Sequence, residues 1–194
     1  MLFLENNRCG AMLNGKEVVG KKVLILGEVG SGKTKLAAKI IQELTRIINP
    51  EKITVIDLAP ERTGDVGGKL TDYTKLACGI KYFSPLKIYT PRLTGKSPDE
   101  VLHYAEMNKK AIEPLLDKYT KNPTEALIIN DVTLYFHLGE LEKILECIRL
   151  AKTFLATAYC GERLSMDFGT GISKREKQLT ERLSAFMDIA IKID

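Results

Sequence analysis

The chain has 194 residues, 29 of them Lys or Arg and 25 Asp or Glu, for a formal net charge of +4. That length suits one α/β domain, residues 1–194, able to bury roughly 70 % of its unfolded surface, and it argues against two full domains. The charge forms no one-faced basic cluster, so nucleic acid stays open but unsupported; Cys9, Cys78, Cys147 and Cys160 lack Cys-x-x-Cys spacing, and no apolar run is long enough to cross a bilayer, which excludes a disulfide scaffold and a membrane span and leaves a cytoplasmic protein as the expectation.

Residues 1–20 mix apolar and polar side chains with Gly10, Gly15 and Gly20 and read as an irregular or hairpin-like lead-in. Met1-Leu2-Phe3-Leu4 is too short, and lacks the preceding basic residues, for a signal segment. Lys22-Val23-Leu24-Ile25-Leu26 is a short apolar strand. It runs into Gly27-Glu28-Val29-Gly30-Ser31-Gly32-Lys33-Thr34, which fits Gly-x-x-x-x-Gly-Lys-Ser/Thr. Such a match arises by chance on the order of 1 % of the time in a chain of this size, before its strand-loop-helix setting is counted. The glycines let successive backbone N–H groups curl around polyphosphate oxygens at a helix N-terminus. Lys33 would reach the β- and γ-phosphates, and the Thr34 hydroxyl would hold Mg²⁺. A plain glycine turn explains neither Lys33 nor Thr34.

Leu36, Ile40, Ile41, Leu44, Ile47 and Ile48 share one face of a helix over 33–48, which Asn49-Pro50 stops. Ile53-Thr54-Val55-Ile56-Asp57 is a second strand, delivering a carboxylate at its C-terminal end. Residues 60–97 are rich in Gly, Pro, Thr and Lys, with a short helix expected at 70–76 and extended pieces at 80–83 and 87–89. A stretch this long without regular structure binds something or moves. Within it, residues 64–69 look the most mobile, and the Asp-x-x-Gly spelled by 65–68 is not placed directly after its strand. Ser97-Pro98-Asp99-Glu100 is a capping box with proline at the first helical position. The helix it opens carries Val101, Ala105, Ile112, Leu115 and Tyr119 on one seam, and Pro114 should kink or end it. His103 and His137 have no companion at ligand spacing and read as ordinary surface or half-buried histidines.

Ala126-Leu127-Ile128-Ile129-Asn130-Asp131 is a buried-type strand ending in a second carboxylate. A helix over 140–152, a strand over 153–158 and a long loop over 161–172 follow. Ser173-Lys174-Arg175-Glu176 should cap a helix bearing Leu179, Leu183 and Phe186, and 189–193 closes as a strand. Alternating strands and helices predict an α/β fold with a mostly parallel, doubly wound sheet flanked by helices.

The 27–34 stretch resembles the Walker A loop of the P-loop NTPases, and 126–131 resembles a Walker B strand. The strand pattern looks like the RecA-like branch, which includes ATPases and some small transferases. The resemblance implies a P-loop NTPase fold, ATP and Mg²⁺ as cofactors, and residues 27–34 as the nucleotide cradle. It puts Asp131 and Asp57 in competition for the Mg²⁺-site carboxylate, with Asp131 favoured for its more apolar strand. RecA-like ATPases usually follow that aspartate with a glutamate that polarises water; here Val132 and Thr133 follow, which predicts slow basal turnover. Thr157 falls where the branch often places a γ-phosphate sensor. Glu28 could contribute from within the loop, a solvated side chain being its simpler reading. Arg163, Lys174 and Arg175 flank the 161–172 loop, so a lid bringing a guanidinium to the γ-phosphate is conceivable. No Asn-Lys-x-Asp tetrad follows Asp131, which favours ATP over GTP. Two classes of function follow. One is an enzyme hydrolysing ATP or transferring a phosphoryl or related group to a small-molecule acceptor on the 60–97 platform. The other is a nucleotide-dependent switch or scaffold read by a protein partner.

Overall fold

The structure, a computed structural model, describes residues 3–4, 13–62 and 68–194. The expectations for Cys9, Gly10 and the 64–67 part of the long loop fall outside them. Seven strands form one sheet in the order β1-β7-β2-β6-β5-β3-β4. They are β1 (Phe3–Leu4), β2 (Lys22–Gly27), β3 (Ile53–Asp57), β4 (Lys81–Phe83), β5 (Ala126–Asn130), β6 (Thr153–Tyr159) and β7 (Ile189–Ile193). Every pairing among the described residues is parallel. The inner strands β2, β3, β5 and β6 are buried on both faces, which is why they read as nearly unbroken apolar runs.

Side chains alternate across each strand, so the sheet feeds two cores. Val23, Ile25, Val55, Ile128 and Leu155 join the core covered by α1 (Gly15–Val18) and α2 (Lys33–Leu44). Leu24, Leu26, Ile129, Phe154 and Ala156 join the other, covered by α4 (Pro98–Lys121), α5 (Thr133–Phe136), α6 (Leu141–Leu150) and α7 (Ile172–Ser184). A further short helix, α3 (Pro91–Thr94), precedes α4. Helices on both faces of a parallel sheet make the doubly wound fold that the sequence predicts. No helix of the described residues is long and apolar enough to cross a membrane.

Several local expectations give way. Among the described residues of the lead-in, β1 pairs in parallel with β7, and Asn14 caps α1 by accepting from the N–H groups of Lys16 and Glu17. In the 60–97 region the short helix expected at 70–76 is a 3₁₀ turn at Leu70–Asp72 and the extended piece expected at 80–83 is β4, while α3 is an addition. Residues 87–89 are not a strand. The Asn108 side chain of α4 instead makes both bonds that a neighbouring strand would make to Tyr89, accepting from its N–H at 2.8 Å and donating to its C=O at 2.9 Å. Helix α4 passes through Pro114 without ending, because Pro114 and Lys110 lie on the exposed face, where the carbonyl left without a partner is open to water. Helix α7 is opened by Gly171 in the left-handed conformation, φ 80°, and by the Asp167 carboxylate accepting from the Ser173 N–H at 3.1 Å. Ser173 is not its cap.

Candidate functional site

The loop between β2 and α2 is shaped by three glycines. Gly30 and Gly32 sit at φ 80° and 88°, where a side chain would be strained. Gly27 has a different reason: a Cβ there would collide with the carbonyl of Ile193 and the Ser31 hydroxyl. The first N–H groups of α2 have no intrahelical partner and carry the positive end of the helix dipole. Ser31 Oγ is buried with no hydrogen-bond partner. Lys33 folds back over the loop, its Nζ donating to the carbonyls of Gly27 at 2.9 Å and Glu28 at 2.6 Å. Burial pushes the Lys33 ammonium below its ordinary pKa, while Asp131 and Glu28 pull it back up. The loop thus draws together free amides, an orphaned hydroxyl and a partly desolvated cation, and these are the donors that a polyphosphate needs.

Glu28 is not a solvated side chain. Its carboxylate accepts from the N–H groups of Val29 (2.7 Å), Glu162 (2.8 Å) and Arg163 (3.2 Å), tying the phosphate loop to the loop after β6. A Cβ on Gly161 would collide with this carboxylate. Burial raises the Glu28 pKa, but the three amides and the Tyr159 hydroxyl bring it below the ordinary glutamate range.

At the ends of β3, β5 and β6 a buried polar chain replaces the expected single carboxylate. Asp57 is fully buried. It accepts four hydrogen bonds, from Asn130 Nδ2 (2.8 Å), the Leu70 N–H (2.7 Å), the Tyr82 hydroxyl (2.9 Å) and the Ala59 N–H (3.3 Å). Burial still holds its carboxyl above the ordinary range. Asn130 Oδ1 in turn accepts from the Thr157 hydroxyl at 2.8 Å and from the Thr34 hydroxyl at 3.4 Å. Asp131 lies one residue beyond the strand, at φ 59°. Its N–H donates to Thr157 Oγ1 at 2.8 Å, and its carboxylate accepts from the Thr133 hydroxyl at 3.0 Å. Burial raises the Asp131 pKa, opposed chiefly by Lys33.

Lys33, Thr34, Asp131 and Thr157 line one pocket of about 260 Å³, together with Gly30, Gly32, Thr133, Tyr159, Arg92 and His137. Asp57 does not line it. Arg163 is exposed and borders a neighbouring, more open cleft beside Glu28 and Ser31. Arg175 is elsewhere: its guanidinium donates to the Gly139 carbonyl and to Glu140, both at 2.8 Å, fastening α7 to the start of α6. His137 is 1 % exposed, its Nε2 2.7 Å from Glu176 Oε2, so it is neither surface nor half-buried. Asn130, Arg92, His137 and Glu176 were not legible as site residues. Asn130 alone had a signal, its place at the end of the most apolar strand.

A glycine loop cradling phosphate donors at the C-terminal edge of a parallel sheet, with β6 between its strand and the strand bearing Asn130, defines a P-loop NTPase of the RecA-like branch. Residues 3–192 match the family described as Helicase HerA, central domain, and the chain belongs to that family of nucleotide-binding P-loop ATPases. No curated protein sequence matches it. Among solved structures it is similar to an ATPase from the type III secretion system of pathogenic bacteria, with 14 % identity over 91 % of this chain and 51 % of that one, TM-score 0.41. It is similar to a Pyrococcus horikoshii OT3 protein, with 8 % identity over 94 % and 88 %, TM-score 0.43. It is also similar to the Pif1 helicase of Candida albicans, with 19 % identity over 100 % and 40 %, TM-score 0.39. The chain thus spans about half of the secretion ATPase and less of the Pif1 helicase.

Proposed function

We propose that the chain binds Mg-ATP at residues 27–34 and hydrolyses it slowly until a partner closes the site. The observation that carries this is Lys33, drawn over the Gly27 and Glu28 carbonyls in the pocket that also holds Thr34 and Asp131. A bound metal would supply charge neutralisation at the phosphates. The residues present fit it: Thr34 offers a hydroxyl beside the Asn130 amide oxygen. The register differs from the expected one. Asn130, not Asp131, meets Thr34, so Asp131 takes the following position, where RecA-like ATPases usually hold the glutamate that polarises water. Asp131 is therefore assigned to orienting water rather than to the metal, and Asp57 to neither. An aspartate reaches less far than a glutamate and an amide brings no charge to the metal side, and both favour slow basal turnover.

Arg163 keeps its proposed role as a lid residue, since its exposed side chain borders the cleft beside the phosphate loop. Arg175 drops out. Family membership favours nucleic acid over a small-molecule acceptor as the stimulating partner, while the switch reading stays the alternative should turnover remain slow with every partner. The test is calorimetry with Mg-ATP followed by steady-state ATPase assays with and without DNA. Lys33→Ala should lose binding by about a hundredfold or more with the fold intact by circular dichroism. A variant that binds as the parent does removes the reading.

A further inference from the structure

Three side chains that the phosphate loop leaves unexplained meet beside the pocket, two of them, Arg92 and His137, lining it together with Lys33 and Thr34. Arg92, from α3, donates through Nη2 to Glu176 Oε2 of α7 at 2.7 Å, and His137 Nε2 lies 2.7 Å from the same oxygen. The side chains of Arg92, Glu176 and His137 are 6, 4 and 1 % exposed. The Arg92 guanidinium also lies 5.0 Å above the Tyr159 ring. In the β2–β6 register Tyr159 is the residue paired with Gly27, the first residue of the phosphate loop. Adjacent strands are about 4.8 Å apart, so the residue whose ring Arg92 covers is the strand neighbour of the phosphate loop, and Arg92 and Tyr159 both line the pocket with Gly30, Gly32 and Lys33.

A buried ion pair built for stability is usually bidentate, with both carboxylate oxygens on the guanidinium fork. Here a single oxygen is shared between Arg92 and His137. The arrangement fixes the guanidinium's position without occupying its whole fork, and the Tyr159 ring lies against it. The cluster also touches the site electrically: after burial and the Lys33 and Thr133 contributions, Glu176 pushes the Asp131 carboxyl up and His137 pushes it down. His137 Nδ1 is buried without a partner, so the imidazole spends its hydrogen bonding on Glu176 alone among the described residues.

Building on the ATP-binding reading above, we propose that Arg92 contacts the terminal phosphate of the bound nucleotide in the pocket that it lines with Lys33, with Glu176 and His137 as its positioning residues. A cation at the terminal phosphate is then supplied by the 60–97 segment, in addition to the lid arginine of the 161–172 loop. Because Arg92 rides on α3 and Glu176 on α7, the presence of that phosphate is reported to both helices.

The test compares Mg-ADP with a slowly hydrolysed Mg-ATP analogue by calorimetry, for the parent, Arg92→Lys and the doubly neutral Arg92→Gln/Glu176→Gln. The double variant leaves no unpaired buried charge and so guards against simple unfolding. It should bind the ATP analogue about tenfold or more weaker than the parent and ADP within about twofold. Arg92→Lys should recover part of the loss, since it keeps the charge and gives up the fork. Equal weakening toward both nucleotides would make the cluster structural and overturn the proposal, as would an unchanged ratio. A parent that binds ADP and the analogue while the variants match it overturns this inference alone; a parent that binds neither overturns the ATP reading with it.

Discussion

The ends of β3 and β5 look alike in sequence, each an apolar run delivering an aspartate to the ligand edge of the sheet, yet they hold those carboxylates in opposite ways. Asp57 is fully buried and accepts four hydrogen bonds, from Ala59, Leu70, Tyr82 and Asn130. Asp131 lines the pocket, sits at a left-handed backbone position, and receives one side-chain bond, from Thr133. A carboxylate whose lone pairs are already taken by fixed protein donors is an anchor, whereas one with unspent capacity beside a cation can act on a ligand. Asn130 joins the two, giving its amide N–H to Asp57 and its oxygen to Thr34 and Thr157. The Asp57 carboxyl accepts from the Asn130 amide and so orients it, and the residue facing Thr34 is set by one that does not line the pocket.

The largest effect that this contrast predicts is on turnover. Asp131→Asn should lower the ATPase rate by roughly 10²–10⁴-fold, the range for removing a positioned proton-transfer or water-orienting group. Mg-ATP affinity and thermal stability should change little, because the variant keeps an acceptor for Thr133. A steady-state assay paired with a Mg²⁺ titration of nucleotide binding checks it. Weakened metal dependence with turnover preserved would return Asp131 to the metal and erase the distinction drawn here.

Asp57→Asn should show the converse, a loss of stability before any loss of chemistry. The substituted amide turns a donor toward groups that all donate to Asp57, which costs about 1–3 kcal/mol for the unsatisfied pairing. The pH dependence carries a second signature. With its folded pKa held above the unfolded one by burial, Asp57 retains its proton in the folded state over an interval where the unfolded chain has released it. Stability therefore falls as pH rises from the ordinary aspartate range to the raised value and is level beyond. Urea midpoints against pH should slope downward in the parent across that interval and less so in Asp57→Asn. Parallel curves would show that Asp57 is not the group responsible.

How much of this was legible follows from distance along the chain. The phosphate loop, β2, β3, β7 and the apolar face of α2 are local patterns, and the strand-helix alternation carries the doubly wound fold with them. The identity of Thr34's partner depended on one residue of register, since the strand closes at Asn130 and the left-handed turn at Asp131 leaves no mark in composition. Asp57's anchoring depends on Leu70 and Tyr82, and the Arg92–Glu176 pair on residues 84 positions apart. Such pairings are set by how α3 and α7 pack, which no periodicity encodes. Helices α1, α3 and α5 are four residues each, too short for a helical period to appear. Gly171 and Asp167 decide where α7 begins by backbone conformation and a long-reach cap, so the nearer Ser173 misled.

The smallest predicted effect concerns the mobility of the loop that Glu28 holds, and it tests whether charged anchoring extends beyond Asp57. Glu28 accepts from the N–H groups of Glu162 and Arg163, and those amides bring its pKa below the ordinary value. A depressed folded pKa means that the anchoring is fully present above the unfolded pKa and is lost as pH falls through the folded one. Glu28→Gln keeps the shape of the side chain and removes the charge, so each bond falls from the charge-assisted to the neutral kind. Exchange of the Glu162 and Arg163 amides should then speed up by about tenfold, equivalent to about 1.4 kcal/mol of local opening, while amides in β2 and β6 keep their protection. In the parent, after correction for intrinsic exchange, the same acceleration should appear as the solution is acidified through the folded pKa, and in Glu28→Gln it should be absent. If the two amides exchange alike in both proteins at neutral pH, the loop is held by its own turns. In that case Glu28 does not couple the phosphate loop to the segment that carries Arg163.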